Sequence, residues 1–210
     1  MDNVLVTCSE MNPSLIPLWV QTWDELKKRH PDLRVTVFCY PVYKSLPEND
    51  VFRNKEFMQW YRERKDWIEI GQLGYGLKNK SDCKRFSSKQ YSLLHNGYRK
   101  IGSFMPKQYY CFRAPQYKMN EYTLPILGSL GFSACMYHGK FIIMCGVDMP
   151  LQDHIVVESS ISMDERNPDN IVNIRDKIDQ HLSKLEKKGY GYLTTTELIK
   201  KSLGSVKDGI

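Results

Sequence analysis

Two patterns of apolar residues alternate along most of the chain. Short runs rich in aliphatic, β-branched and aromatic residues are typical of buried strands, and the segments between them carry apolar residues at helical spacing. The predicted strands cover 3–8, 34–40, 66–72, 109–112, 132–137, 141–145, 154–159 and 191–193. The predicted helices begin at or near Ser14, Asn54, Ser87, Asn120, Asp169 and Thr196. This alternation predicts an α/β fold whose parallel sheet closes, or nearly closes, into a barrel.

Helical spacing also predicts which side chains face the core. In the first helix these are Leu15, Leu18, Trp19, Trp23 and Leu26. In the helix that begins at Ser87 they are Tyr91, Leu94, Tyr98 and Ile101. Both sets recur at intervals of three and four residues, which places them on one side of a helix.

The loops that follow the strands are expected to lie together on one rim of the barrel. They cover 8–13, 41–54, 72–81, 113–120 and 159–168. Arg113 ends a predicted strand at this rim, where ligand-facing residues of α/β folds usually lie, so it is the first candidate for a functional residue. The alternative is that Arg113 ties the end of its strand to a nearby carboxylate.

Length and composition favour a single folded domain. The chain has 210 residues, of which 41% are hydrophobic and 12% aromatic, enough for one large core. We predict one domain over 1–210, with a frayed tail over 203–210. No stretch has the roughly 18 apolar residues of a membrane helix, and the N-terminal sequence lacks the pattern of a secretory signal. These features favour a cytoplasmic protein.

The net charge of +6 does not by itself indicate a nucleic-acid partner. The basic residues are dispersed, with short clusters at 27–30, 62–65 and 184–188, each late in a predicted helix. Cations at that end complement the helix dipole. Nucleic-acid binding would need a continuous basic face interleaved with exposed aromatic residues, so no nucleic acid is expected. An anionic ligand stays possible.

Several motifs resemble those of the polysaccharide deacetylase (NodB homology) family. The first strand ends in T-C-S-E where the family has T-F-D-D, and the third strand reads IEIGQLGYGL where the family has E-I-G-x-H-G-x-x-H. Further likeness lies in RVTVFCYP, in FRAPQY followed by TLPILGSLGF, and in GYGYLTTTELI. The resemblance covers nearly the whole chain. It implies a distorted (β/α) barrel of about seven strands.

The resemblance also implies where the family's catalytic groups would fall. The catalytic-base aspartate corresponds to Ser9 and the metal-binding aspartate to Glu10, while the two metal-binding histidines correspond to Leu73 and Leu77. Serine is not a base at neutral pH, and leucine has no lone pair to donate to a metal. Zinc usually needs at least three protein ligands, so no family-type metal site is expected.

The rest of the family's set is matched in part. Glu158 and Ser159 stand where a late catalytic histidine is expected, whereas Arg113, Pro115 and Tyr117 match the third motif. The resemblance therefore implies a deacetylase-like barrel in which metal-dependent deacetylation is lost.

A different zinc site would need other ligands. Cys8, Cys39, Cys111 and Cys135 lie in predicted strands, and their thiolates could bind zinc if they converged. The simpler interpretation is that they are reduced thiols that fill the barrel interior, since no C-x-x-C pair occurs. Cys8 as a nucleophile would need a base, for which His138 or His154 would serve. The remaining histidines, His30, His95 and His181, are predicted to be surface or interhelical residues.

Three kinds of function remain open from the sequence. The first is a binding protein whose rim, with Glu10, Tyr75, Arg113 and Tyr117, takes a carbohydrate-like or anionic ligand or a protein partner. The second is a hydrolase of the deacetylase type with a non-standard active site. The third is a component of an assembly that keeps only the scaffold.

Overall fold

A computed structural model of the chain describes residues 3–9, 16–42, 51–76, 83, 87–104, 109–137, 140–144, 155–158 and 169–207. Several residues discussed above lie outside these ranges, namely Glu10, Ser14, Leu15, Leu77, His138, His154 and Ser159. Ser9 and Glu158 are described as backbone positions within strands.

Strands and helices alternate as the sequence pattern predicts. Within the described ranges the strands are β1 (Asn3–Ser9), β2 (Val35–Cys39), β3 (Ile68–Leu73), β4 (Cys111–Arg113), β5 (Ala134–Tyr137), β6 (Lys140–Ile143), β7 (Ile155–Glu158) and β8 (Gly191–Leu193). The helices are α1 (Ile16–Arg29), α2 (Lys55–Glu63), α3 (Ser87–Ile101), α4 (Thr123–Ser129), α5 (Asp169–Lys187) and α6 (Thr195–Lys207). Helix α6 continues past Gly204, so the helical part of the chain reaches further than the predicted start of the frayed tail.

The strands form one mixed sheet that curls into a half-barrel. Its order is β6-β5-β4-β3-β2-β1-β7, and β8 pairs with the first part of β1. All described pairings are parallel except β5 with β6, which is antiparallel. The prediction of an all-parallel sheet is therefore wrong at this edge. Only two residues separate β5 from β6, and a parallel crossover needs a dozen or more.

Alternation along each strand divides the core between the two faces of the sheet. The outer cluster lies between the sheet and the flanking helices, and includes Val4, Val6, Trp19, Trp23, Trp60, Leu94 and Phe112. The inner cluster includes Leu5, Phe38, Leu73, Met136, Phe141, Leu198 and Ile199. Because Leu198 and Ile199 belong to α6, that helix packs on the inner face of the curled sheet.

Two of the predicted core side chains lie on the surface instead. Leu18 is 38% exposed and Tyr91 is 42% exposed. In α3 the buried positions are Gln90, Leu94, Gly97 and Ile101, so Leu94 and Ile101 are buried as predicted, whereas Gln90 and Gly97 are buried in place of Tyr91 and Tyr98. None of the described helices is both long enough and apolar enough to cross a membrane.

The ends of the helices carry the polar contacts that orient them. Asn54 caps α2, because its Oδ1 accepts a hydrogen bond of 2.8 Å from the backbone N of Phe57. His30 follows α1 and lies between two carboxylates of α5, with Nδ1 2.9 Å from Glu186 and Nε2 3.0 Å from Asp179. His30 is thus an interhelical residue.

Candidate functional site

The C-terminal ends of the central strands meet on the inner face of the sheet. Phe38 of β2 is in register with Gly71 of β3, and Leu73 of β3 is in register with Arg113 of β4. Arg113 is in turn level with Met136 of β5. The structure therefore places the first candidate residue at the rim, beside side chains that close the barrel interior.

Gly71 makes room for the ring of Phe38. A Cβ at position 71 would lie 2.5 Å from Cε1 of Phe38, which is too close for any other residue unless the ring moves. Phe38 is completely buried. The glycine of the E-I-G segment thus lets an aromatic ring fill the space beneath Arg113.

Arg113 holds its guanidinium between two aromatic rings. Its Cζ lies 4.4 Å from the centre of the Tyr117 ring and 6.0 Å from the centre of the Phe38 ring. The residue is 5% exposed. Stacking of this kind suits the flat guanidinium and fixes its direction, because a buried cation interacts more strongly with aromatic faces than an exposed one does.

The backbone after Arg113 is strained so that Tyr117 can reach it. Gln116 and Tyr117 have φ values of 53° and 54°, in the left-handed region that residues other than glycine rarely adopt. The turn is held by hydrogen bonds from Tyr117 N to Ala114 O and from Lys118 N to Pro115 O. The Tyr117 hydroxyl oxygen is buried and has no hydrogen-bond partner among the described residues. Strain and an unsatisfied buried hydroxyl are features typical of functional positions.

The structure describes Tyr75 in full, Ser9 only as a position in a strand, and Glu10 not at all. Tyr75 is half-buried directly after Gly74, and its carbonyl accepts a hydrogen bond from Val42 N. Gly74 has a φ of 48° and donates its N–H to the carbonyl of Arg113. Ser9 ends β1 level with Phe38, and β2 and β3 lie between β1 and the strand of Arg113. Glu10 is outside the described ranges.

The residues at the family's metal position do not fit a metal. Leu73 is 2% exposed and belongs to the inner cluster, so an apolar side chain fills the position where the resemblance places a metal-binding histidine. No group of three or more His, Cys, Asp or Glu side chains within the described ranges is placed to hold a metal ion. Leucine offers no donor atom, and we derive no chemical step through a metal.

The strand cysteines do not converge on the rim. Cys8, Cys39 and Cys135 belong to the outer cluster, whereas Cys111 belongs to the inner one. The interpretation that all four fill the barrel interior is therefore wrong for three of them. Successive side chains of a strand point to opposite faces of the sheet, and these three point toward the helices. All four are buried, and burial raises the pKa of the thiols of Cys39, Cys111 and Cys135 above the ordinary value. Such thiols are poor nucleophiles at neutral pH.

A second polar group on the inner face was missed by sequence reasoning. Glu69 of β3 is 5% exposed, and its carboxylate accepts hydrogen bonds from the Thr195 hydroxyl and from the backbone N of Thr196 at the start of α6. Burial raises the pKa of Glu69 above its ordinary value, although those hydrogen bonds oppose the shift. The sequence signal was a glutamate at an inward position of the strand IEIGQL, whose other inward residues are Gly71 and Leu73.

Comparison with solved structures identifies the fold. The chain is similar to a family 4 carbohydrate esterase pseudoenzyme from Bacillus anthracis, with a TM-score of 0.56, 14% identity and coverage of 94% of this chain and 65% of the other. A mutant of that pseudoenzyme with restored enzymatic activity gives a TM-score of 0.61 and 16% identity, covering 94% and 67%. The chain therefore spans about two thirds of the length of these proteins.

Two further structures are similar over most of both chains. A mutant of a peptidoglycan deacetylase from Bacillus subtilis gives a TM-score of 0.54 and 15% identity, covering 98% of this chain and 95% of the other. A family 4 carbohydrate esterase from Streptomyces lividans, in complex with acetate, gives a TM-score of 0.53 and 14% identity, covering 91% of each chain. No family model and no curated protein matches the sequence.

The class that these observations define is the polysaccharide deacetylase fold. The curled sheet with its flanking helices matches the distorted (β/α)7-type barrel of the deacetylases and carbohydrate esterases. The resemblance read from the motifs is confirmed at the level of the fold.

Proposed function

We propose that this protein is a deacetylase-like binding protein rather than a metal-dependent deacetylase, and that its rim around Arg113 binds a carbohydrate-like or anionic ligand. The observation that carries the proposal is the contrast between two neighbours in register. Leu73 is a buried apolar residue at the position of a metal ligand in the family pattern. Arg113, in register with it, has its guanidinium oriented by the rings of Tyr117 and Phe38.

The chemistry of the rim suits such a ligand. A guanidinium with a fixed plane can bind a carboxylate or phosphate through two parallel hydrogen bonds. Aromatic faces such as those of Tyr75 and Tyr117 can pack on the apolar face of a sugar ring, and the buried Tyr117 hydroxyl could bond a polar group of the ligand. A carbohydrate that carries an acidic or acylated group combines these features.

The similar structures support a fold that survives loss of catalysis. One of them is a pseudoenzyme of carbohydrate esterase family 4, and a mutant of it has restored enzymatic activity. In this chain Ser9 replaces the base, and Leu73 and Leu77 replace two of the three metal ligands of the family pattern, while Glu10 stands at the position of the third.

The test uses two classes of acetylated carbohydrate as probes. Acetylated xylo-oligosaccharides and soluble peptidoglycan fragments are titrated into the protein by calorimetry, and acetate release is measured in parallel, with zinc and with a chelator. We expect saturable binding of one probe class without acetate release. Acetate release that requires zinc would contradict the proposal and establish a deacetylase with a non-standard site.

Two variants assign the binding to the rim. Arg113→Lys keeps the positive charge but loses the flat group that stacks on Tyr117, and it should weaken binding by about tenfold or more. Tyr117→Phe removes only the hydroxyl and should weaken binding by about fivefold. Arg99→Lys, at an exposed position of α3, is the matched control. Thermal unfolding verifies that each variant is folded, and unchanged binding by both rim variants would place the ligand elsewhere.

A further inference from the structure

A cavity of about 790 Å³ opens at the end of the barrel opposite to Arg113. Its walls come from the N-terminal ends of β2 and β3, from the second half of α2 and the chain just after it, from the chain just after α3, and from the start of α6. Helices that connect parallel strands end near the beginning of the next strand, which is why these segments meet there. The cavity is of the size that small-molecule sites usually have.

Basic side chains surround the opening of this cavity. Four of them, Arg34, Arg62, Lys65 and Lys200, line it together with the carboxyl groups of Asp66, Glu69 and Glu197. Arg34 already forms an ion pair, since its Nη1 lies 2.8 Å from Glu197 Oε1. The cavity therefore keeps more positive than negative charge at its mouth.

Two of the basic residues, Arg62 and Lys65, line the same cavity and pair with no carboxylate among the described residues. Arg62 lies in the last turn of α2 and Lys65 follows it by three residues. Lys200 projects from α6, where its Nζ lies 5.8 Å from the centre of the Tyr109 ring. An arginine and two lysines around one opening are suited to a phosphate group.

The inner wall of the cavity carries an acidic side chain and does not favour an anionic group. Glu69 is buried there, and its carboxylate already accepts hydrogen bonds from Thr195 and Thr196. An anionic group against that wall would lose its hydration beside another acidic side chain, whereas a hydroxyl group could hydrogen-bond to Glu69 in either of its protonation states or exchange bonds with nearby side-chain hydroxyls. The cavity thus favours a molecule that is anionic at one end and hydroxylated at the other.

We propose that this cavity binds a small phosphate monoester with a hydroxylated body, with the phosphate at Arg62, Lys65 and Lys200 and the hydroxyl groups toward Glu69. This site is separate from the rim and does not depend on the function proposed there. It takes a ligand between the end of α2 and the start of α6, so binding should also raise the melting temperature of the whole protein.

Calorimetric titration with glycerol 3-phosphate at low ionic strength tests the site, with inorganic phosphate and glycerol as comparison probes. We expect saturable one-to-one binding of glycerol 3-phosphate, weaker binding of inorganic phosphate and none of glycerol. The double variant Arg62→Ala/Lys65→Ala should weaken glycerol 3-phosphate binding by about tenfold. Both side chains are exposed, so their loss should leave the fold intact.

The matched control removes the same charge elsewhere. Lys187→Ala/Lys188→Ala deletes two exposed lysines at the end of α5 and should leave the affinity unchanged. An equal loss of affinity in both double variants would show binding to net charge alone and overturn the proposal. Failure of glycerol 3-phosphate to saturate the protein at millimolar concentration would also overturn it, and so would equal affinity for inorganic phosphate.

Discussion

At the scale of single residues, the turn that brings Tyr117 onto Arg113 has an unfavourable backbone conformation. Two consecutive residues without a glycine occupy the left-handed region of backbone conformation, which costs about 1 kcal/mol or more for each. Gln116 is exposed, so packing of its side chain contributes little free energy to offset this strain. The geometry of the turn therefore serves the placement of Tyr117 and not local stability.

Replacement of Gln116 by glycine should relieve part of this strain. We expect Gln116→Gly to stabilise the protein by up to about 1 kcal/mol, since glycine adopts positive φ without a steric penalty. Urea denaturation measures the change. The same substitution at Gln59, an exposed residue inside α2, should destabilise by about 1 kcal/mol. Equal destabilisation at both positions would show that the turn stores no strain.

At the scale of elements, Glu69 connects the sheet to α6. Its carboxylate bonds the start of that helix, where the positive end of the helix dipole favours an acidic group, but burial favours the protonated form. The pKa of Glu69 is raised by the folded structure. The folded protein therefore holds this proton more tightly than the unfolded chain does.

This difference predicts a pH dependence of stability with a definite sign. As the pH rises from the ordinary carboxyl pKa of 4.5 toward the raised pKa of Glu69, the folded protein should lose free energy of unfolding, by at most about 1.4 kcal/mol per pH unit. Glu69→Gln cannot ionise and should lack this contribution. Urea denaturation of both proteins over a pH series isolates it by subtraction. A constant difference between the two proteins across the series would refute the prediction.

The elements were largely predictable from the sequence, and the exceptions have physical causes. Apolar periodicity located the strands and helices, and the cap at Asn54 was visible as an asparagine before an amphipathic segment. Leu94 and Ile101 of α3 were predicted correctly, but Gly97 was missed as a buried position because it packs against Gln72, a contact between distant parts of the chain. The face of the sheet was also missed for Cys8, Cys39 and Cys135, because neighbouring residues of a strand point to opposite faces.

At the scale of the whole molecule, motif resemblance gave the barrel and the position of Arg113 at its rim. It did not give the pairing partners of Arg113, because Phe38 carries no polar signal and the aromatic stacking depends on three strands and a strained turn. The motif resemblance also did not predict on which face of the sheet α6 packs. A final amphipathic helix is usually expected on the outside of such a fold, whereas Leu198 and Ile199 bury this one against the inner face.

Removal of 195–210 should therefore do more than trim the surface. The truncated chain would expose the inner cluster, including Leu5, Phe38 and Cys111, to water, and would leave Glu69 without its partners. We expect loss of cooperative thermal unfolding and strong binding of a hydrophobic dye. The full chain is the control, and a truncated protein that melts cooperatively at the same temperature would contradict this expectation.

The inward position of α6 also has a consequence for how the protein is made in the cell. A chain leaves the ribosome from its N-terminus, so the strands emerge well before the helix that fills the space they enclose. Until that helix arrives, the curled sheet has an open apolar side of the kind that chaperones bind. The fold therefore cannot be completed by the strands alone, and it must wait until the residues near 200 have emerged.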